Sequence, residues 1–168
     1  MLILQTQRLA LRTIETADAP FYLDLVNTPQ FIANIGDRAI RTLKAARAAI
    51  ASGPVAMQAA LGHSIYLVEL KESGAAIGMC GLIKRDCLDD VDLGYAFLPR
   101  YFGQGYAHEA ALGVLEHARE LGIARLAAIV SPSNAASCAL LDKIGMRRQG
   151  LVYLSAQDTG TWLYSMDT

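Results

Sequence analysis

Residues 91–110, VDLGYAFLPRYFGQGYAHEA, decide the fold. Val91–Leu98 reads as a strand, and Pro99 ends it. An amphipathic helix follows. Ala107, Ala110, Ala111, Val114, Leu115, Ala118 and Leu121 form its apolar face, with Glu109, Glu116, Arg119 and Glu120 largely opposite. The next run, ARLAAIVSP (124–132), is short and almost wholly apolar, like a strand buried on both faces. Residues 91–130 therefore read as a strand–helix–strand crossover.

The flanking segments extend this pattern. SNAASCALLDKIGM (133–146) is a second amphipathic helix, with Ser133 or Asn134 as N-cap and Gly145 as its stop. GLVYLSAQDTGTWLYSM (150–166) closes the chain as a hairpin turning near Asp158–Gly160. Upstream, SIYLVELKESGAAIGMCGLIKRD (64–86) gives two strands joined at Glu72–Gly74, and Asp89–Asp90 form a polar turn before the next strand. ILQTQRLALR (3–12) reads as one strand with a wet face. Helices are expected after Asp18, after Thr28–Pro29, and after Thr42, the last stopped by Gly53 and Pro54. The sum is an α/β layered fold, a mostly antiparallel mixed sheet flanked by helices, in a single domain over residues 1–168.

Composition narrows the function classes. The chain has 168 residues, 53% hydrophobic and 18% charged, which fits a packed core and not a disordered chain. A net charge of −1 without a basic block lacks the footprint of a nucleic-acid binder. No apolar run is long enough for a membrane span, and MLILQTQRLALR has no signal-peptide pattern. Cys80, Cys87 and Cys138 are odd in number without CxxC spacing, and read as reduced thiols of a cytoplasmic protein. His63, His108 and His117 form no metal spacing, so no metal site is expected, and His117 reads as a surface residue.

Gly103 and Gly105 admit several readings. A dinucleotide GxGxxG needs glycine at 108, where the chain has His108; a P-loop needs a lysine and a spacing that are absent. What remains is R-x-x-G-x-G at Arg100, Gly103 and Gly105, on the way into a helix. The first turn of a helix offers unpaired amides and partial positive charge, and glycines let a pyrophosphate come close. The same glycines would also serve as a plain turn.

VDLGYAFLPRYFGQGYAHEA followed by SPSNAASCALLDKIGMRRQG resembles the GCN5-related N-acetyltransferase (GNAT) superfamily, and more narrowly its Rim-type ribosomal-protein N-terminal acetyltransferase branch. TQRLALRTIETADAPFYLDLVNTPQFIANIGDR resembles the first third of that branch, so the likeness covers nearly the whole chain. It implies a strand at Phe97 and Leu98 that splays from its neighbour and pairs with the pantetheine of acetyl-CoA. It further implies a pyrophosphate held by the backbone of Tyr101, Phe102, Gly103, Gln104, Gly105, Tyr106 and Ala107. Asn134 would reach the pantetheine, although by spacing it is also a good N-cap. Ser137 takes the place of a hydroxyl near the thioester sulfur, three residues on and on the same helix face.

The implied reaction is attack of a primary amine, on a small molecule or a protein N-terminus, on acetyl-CoA. The amine must be neutral, against a pKa of about 10.4 for lysine or about 7.7–8.0 for an α-amine. A backbone N–H near Phe97 or Leu98 would hold the oxyanion, and Ser137 would assist the leaving thiolate. Asp92, Glu69 or a water would take the proton. Glu109, in the first helical turn, complements the helix dipole. Residues 52–64 and ANIGDRAIRT (33–42) lie where this branch shapes its acceptor site. Asp37, Arg38 and Arg41 there either recognise a charged acceptor or are solvated loop charges. Two alternatives stay open: a non-catalytic acyl-CoA-binding or regulatory module, and transfer of a longer acyl group. The sequence leaves open whether the protein is a monomer or a homodimer.

Overall fold

In the computed structural model, which describes residues 1–168, the N-terminal alternation folds as a hairpin and not as one strand. β1 (Leu2–Gln5) turns at residues 6–8 into antiparallel β2 (Leu9–Thr13). Thr6 closes the turn: its N–H donates to Leu9 O at 2.9 Å, and Leu9 N–H donates to Thr6 Oγ1 at 3.1 Å. The polar residues of the turn continue the polar–apolar rhythm, which hides the reversal.

Four helices follow: α1 (Ala19–Val26), α2 (Pro29–Asn34), α3 (Leu43–Ile50) and α4 (Ala56–Leu61). Thr28 and Thr42 cap α2 and α3 as expected, accepting from Phe31 N and Ala45 N. Asp18 precedes α1 but makes no cap bond, because its carboxylate takes Glu15 N–H and the Arg12 guanidinium. Gly53 and Pro54 do not stop the helix. A π-helical turn (Ala51–Val55) carries the chain from α3 into α4, which ends at left-handed Gly62. A proline in an α-helix clashes with the carbonyl one turn back, and the wider π turn relieves that clash.

The rest adds six strands to β1 and β2 and completes an eight-stranded sheet: β3 (Ile65–Leu70), β4 (Ala76–Ile83), β5 (Val91–Phe97), β6 (Arg125–Val130), β7 (Arg147–Val152) and β8 (Thr161–Asp167). α5 (Tyr106–Glu120) links β5 to β6, and α6 (Ala135–Lys143) links β6 to β7. The order is β1-β2-β3-β4-β5-β6-β8-β7, and all neighbours are antiparallel except β5 and β6. This is the mixed, mostly antiparallel α/β layering that the sequence indicates.

Period-two alternation divides the core between the two faces of the sheet. Leu93 and Phe97 of β5, with Cys80, Leu82, Tyr66 and Val68, pack on Ala110, Ala111, Val114 and Ala118 of α5 and Leu141 of α6. Alanines on α5 let that helix lie close to the strands. On the other face Leu67 and Met79 pack with Leu98 against Leu25 of α1 and Ala46 and Ile50 of α3. Each fully buried leucine here contributes about 1.5–3 kcal/mol. Gly78 sits under the Phe97 ring, where a Cβ would overlap ring and backbone. That close approach fixes Phe97 at the end of β5.

Candidate active site

β5 and β6 pair for one short stretch, Val91 with Leu126 and Asp92 with Ala127, and then part. β5 stays on β4 as far as Phe97, while β6 stays on β8 as far as Val130. Each strand follows its antiparallel partner, so the sheet opens between them. Leu98 N–H donates to Ile77 O at 2.9 Å, on the β4 side. Antiparallel alternation then turns the N–H groups of Tyr95 and Phe97 the other way, into the opening. Leu98, expected as a possible oxyanion donor, has its N–H committed and its side chain 1% exposed in the second core.

A cleft of about 940 Å³ fills the opening and reaches both faces of the sheet. One wall is the entry to α5. A 3-10 turn at Pro99–Tyr101 leads to Gly103 (φ 71°) and Gly105 (φ 79°), both left-handed. Neither glycine is there to avoid a clash, since a Cβ meets nothing within 4 Å at Gly103 and only an Arg8 nitrogen at 3.4 Å at Gly105. Backbone conformation is what requires them. No side chain caps α5, so the amides of its first turn face the cleft unpaired. Of the residues expected here, Phe97, Tyr101, Phe102, Gly103, Gly105, Tyr106 and Ala107 line the cleft. Gln104 does not; its side chain donates to Arg100 O and its carbonyl accepts from Arg8 Nη1 at 3.0 Å.

The β1–β2 turn clamps this loop from outside. Glu109 Oε1 accepts from Thr6 Oγ1 (2.6 Å) and Arg8 N (2.7 Å), and Oε2 accepts from Arg8 Nε (2.6 Å). The Arg8 guanidinium also lies over the Tyr106 ring, 4.4 Å from its centre. Burial raises the Glu109 pKa, but the hydrogen bonds from Thr6 and Arg8 outweigh it and hold the carboxyl below its ordinary value.

α6 forms the opposite wall. Asn134 lies at its N-cap and accepts Ser137 N–H at 3.2 Å, so the capping reading describes the side chain, which also borders the cleft. Ser137 faces Tyr95, with their hydroxyl oxygens 2.5 Å apart. Sequence reading missed Tyr95. Strand parity was the available signal, because Tyr95 shares the face of Leu93 and Phe97, the one that α6 covers. Burial pushes the Tyr95 phenol up, while the bond to Ser137 opposes that shift.

Comparison with known proteins places this arrangement. Residues 8–147 match the family model described as the acetyltransferase (GNAT) domain. The chain belongs to the GNAT family. The uncharacterized protein YkkB of Bacillus subtilis is 35% identical over 88 residues, 51% of each chain, so the match spans about half of that relative's length. An acetyltransferase of Agrobacterium tumefaciens superposes with a TM-score of 0.82 at 27% identity, covering 98% of this chain and 94% of its own. RimL, a ribosomal L7/L12 alpha-N-protein acetyltransferase solved with coenzyme A, shares the fold with a TM-score of 0.85 at 17% identity, covering 99% and 98%.

The acids of this GNAT chain divide by their partners. Glu69 is not in the cleft; Arg12 binds it at 2.9 Å and joins it to Asp18. Asp92 is 1% exposed and does border the cleft, on the sheet face that α1–α4 cover. Its Oδ2 accepts from Arg85 Nε at 2.7 Å, and its Oδ1 has no partner. Burial raises the Asp92 pKa against the pull of Arg85. His117 is packed and not at the surface: its ring stands edge-on to Tyr66, Nε2 lying 3.3 Å from the phenol oxygen. No group of three or more His, Cys, Asp and Glu is arranged to hold a metal, and no helix is long and apolar enough to cross a membrane.

Proposed function

We propose that this GNAT protein transfers an acetyl group from acetyl-CoA directly to a primary amine, as an N-acetyltransferase akin to the Rim-type branch. The parted β5 and β6 carry this reading: one opening through the sheet has unpaired helix amides at one end and the Tyr95–Ser137 pair along its wall. RimL, which shares the fold, is recorded with coenzyme A, and that supports acetyl-CoA as the donor. The α5 entry would receive the pyrophosphate on its amides from Gly103 to Ala107, because the N–H groups of Tyr101 and Phe102 already donate to Leu98 O and Pro99 O. Asn134 and the inward N–H groups of β5 would guide the pantetheine.

In the reaction the amine nitrogen bonds to the thioester carbon, and the carbon–sulfur bond breaks. Phe97 N–H is the backbone donor left for the oxyanion, because Leu98 N–H is committed to Ile77. Ser137 donates a hydrogen bond to the departing thiolate. The ammonium proton passes to water or to Asp92, whose raised pKa suits a base better than that of a solvated carboxylate. Much of the acceleration comes from holding both reactants in one cleft. The reading takes residues 1–168 as one unit working in the cytoplasm, where Cys80, Cys87 and Cys138 are free thiols.

Thiol release from acetyl-CoA with a panel of primary amines tests the proposal. Gly105→Asp should leave the fold intact, since aspartate tolerates left-handed backbone, but its carboxylate should weaken coenzyme A binding at least tenfold by calorimetry. Unchanged affinity removes the pyrophosphate assignment. Bound acetyl-CoA with no thiol release from any amine makes the protein a non-catalytic acyl-CoA module.

A further inference from the structure

The cleft half under α1–α4 has a charge inventory that selects its ligand. Its wall is mostly apolar, with Tyr22, Phe31, Ile35, Met79 and Ile83, beside the amides of Gln30 and Asn34. Four charged residues border it: Arg38, Arg85, Asp92 and Asp158. Asp92 is held by Arg85. Asp158 spends both oxygens on its own loop, accepting from Gly160 N, Leu154 N and Thr161 Oγ1, each at 2.9 Å. At the rim, Asp24 lies 3.8 Å from Arg100, and Asp37 lies 2.6 Å from Arg41. His108 and Lys143, the other lining groups that can carry a positive charge, belong to α5 and α6 on the opposite face.

Asp92 is then the one lining carboxylate with a free oxygen, enough for the reacting amine and not for a second ammonium group, while Arg38 enters no ion pair. Arg38 is exposed, and its charge reaches the Tyr22 phenol. A polyamine or aminoglycoside would bring several ammonium groups against Arg38, the one lining cation of this half without a counter-ion. A planar guanidinium with free donors suits a carboxylate, which it can grip with two parallel bonds.

Building on the acetyl-transfer reading, we infer that the acceptor is a small amine with an apolar body and a carboxylate that Arg38 binds, as in a free apolar α-amino acid. The attacking nitrogen is then the acceptor's one amine. One carbon separates amine and carboxylate in such an acceptor, so the amine gives up its proton beside the Arg38 guanidinium while the apolar body lies along the cleft wall.

Thiol release tests this with leucine, phenylalanine, their carboxamides, spermidine and kanamycin, compared at equal concentrations of neutral amine. Leucine and phenylalanine should exceed their amides by about fivefold in kcat/KM. Arg38→Gln should close that gap by raising KM for the acids, with an unshifted melting temperature showing that the fold is kept. Preference for spermidine or kanamycin overturns the inference and leaves acetyl transfer standing. Equal rates for acids and amides, or a gap that survives in Arg38→Gln, overturn it as well. No thiol release with any acceptor, while acetyl-CoA binds, overturns acetyl transfer itself and this inference with it.

Discussion

Tyr95 and Ser137 are brought together from segments 42 residues apart, and their contact gives each hydroxyl a direction. Burial keeps Tyr95 as a neutral phenol, so it can donate to Ser137 Oγ. The Ser137 proton is then free to point at a sulfur in the cleft, and a chain of two hydroxyls polarises the second. Under acetyl transfer, Ser137→Ala should lower kcat about tenfold or more with little change in acetyl-CoA binding. Tyr95→Phe should act the same way. Because Tyr95 works through Ser137, the double variant should be no slower than Ser137→Ala alone. Additive losses in steady-state kinetics would show that Tyr95 acts independently of Ser137. Wild-type kcat in Ser137→Ala would remove the leaving-group assignment.

The entry to α5 holds its shape because the β1–β2 turn grips Glu109 with three donors. Glu109→Gln loses the charge and part of this set, and should cost about 1–3 kcal/mol in urea unfolding. The pH dependence has a definite sign. The folded pKa of Glu109 lies below the unfolded value of about 4.3. Its stabilisation is therefore complete above that value and is lost as pH falls through the folded pKa. The wild type should lose this increment on acidification below about pH 4.3, and Glu109→Gln should not. Parallel stability–pH curves for the two proteins would reject the role given to the clamp.

Local signals told the truth wherever one residue's chemistry decided an element. Thr28 and Thr42 were readable as caps, and the crossover from β5 through α5 to β6 followed from period and length. They failed where packing overrode them. Gly53 and Pro54 carry the strongest stop signal in the N-terminal half, yet Ile50 and the π turn continue the helix along the sheet. At the site, Gly103, Gly105 and Ser137 stood out as residue types in a pattern. Tyr95, the pairing of Glu69 with Arg12, and the free state of Arg38 did not, because each depends on which distant side chain arrives beside it.

The molecule as a whole is a sheet held open between β5 and β6. A ligand that spans the opening binds the folded chain and has no counterpart in the unfolded one. Acetyl-CoA at one hundred times its Kd should add about 2.7 kcal/mol, a rise in Tm of about 5–10 °C by scanning fluorimetry. An unmoved Tm at that excess contradicts occupation of the cleft.

The same opening should leave a signature in deuterium exchange. Gly94 and Ala96 direct their amides to β4, whereas Tyr95 and Phe97, between and beside them, direct theirs to where no strand lies. Exchange along β5 should therefore alternate, residue by residue, with every second amide fast. Acetyl-CoA should slow those amides and leave their neighbours as they were, so that the strand becomes uniformly protected once its missing partner is supplied.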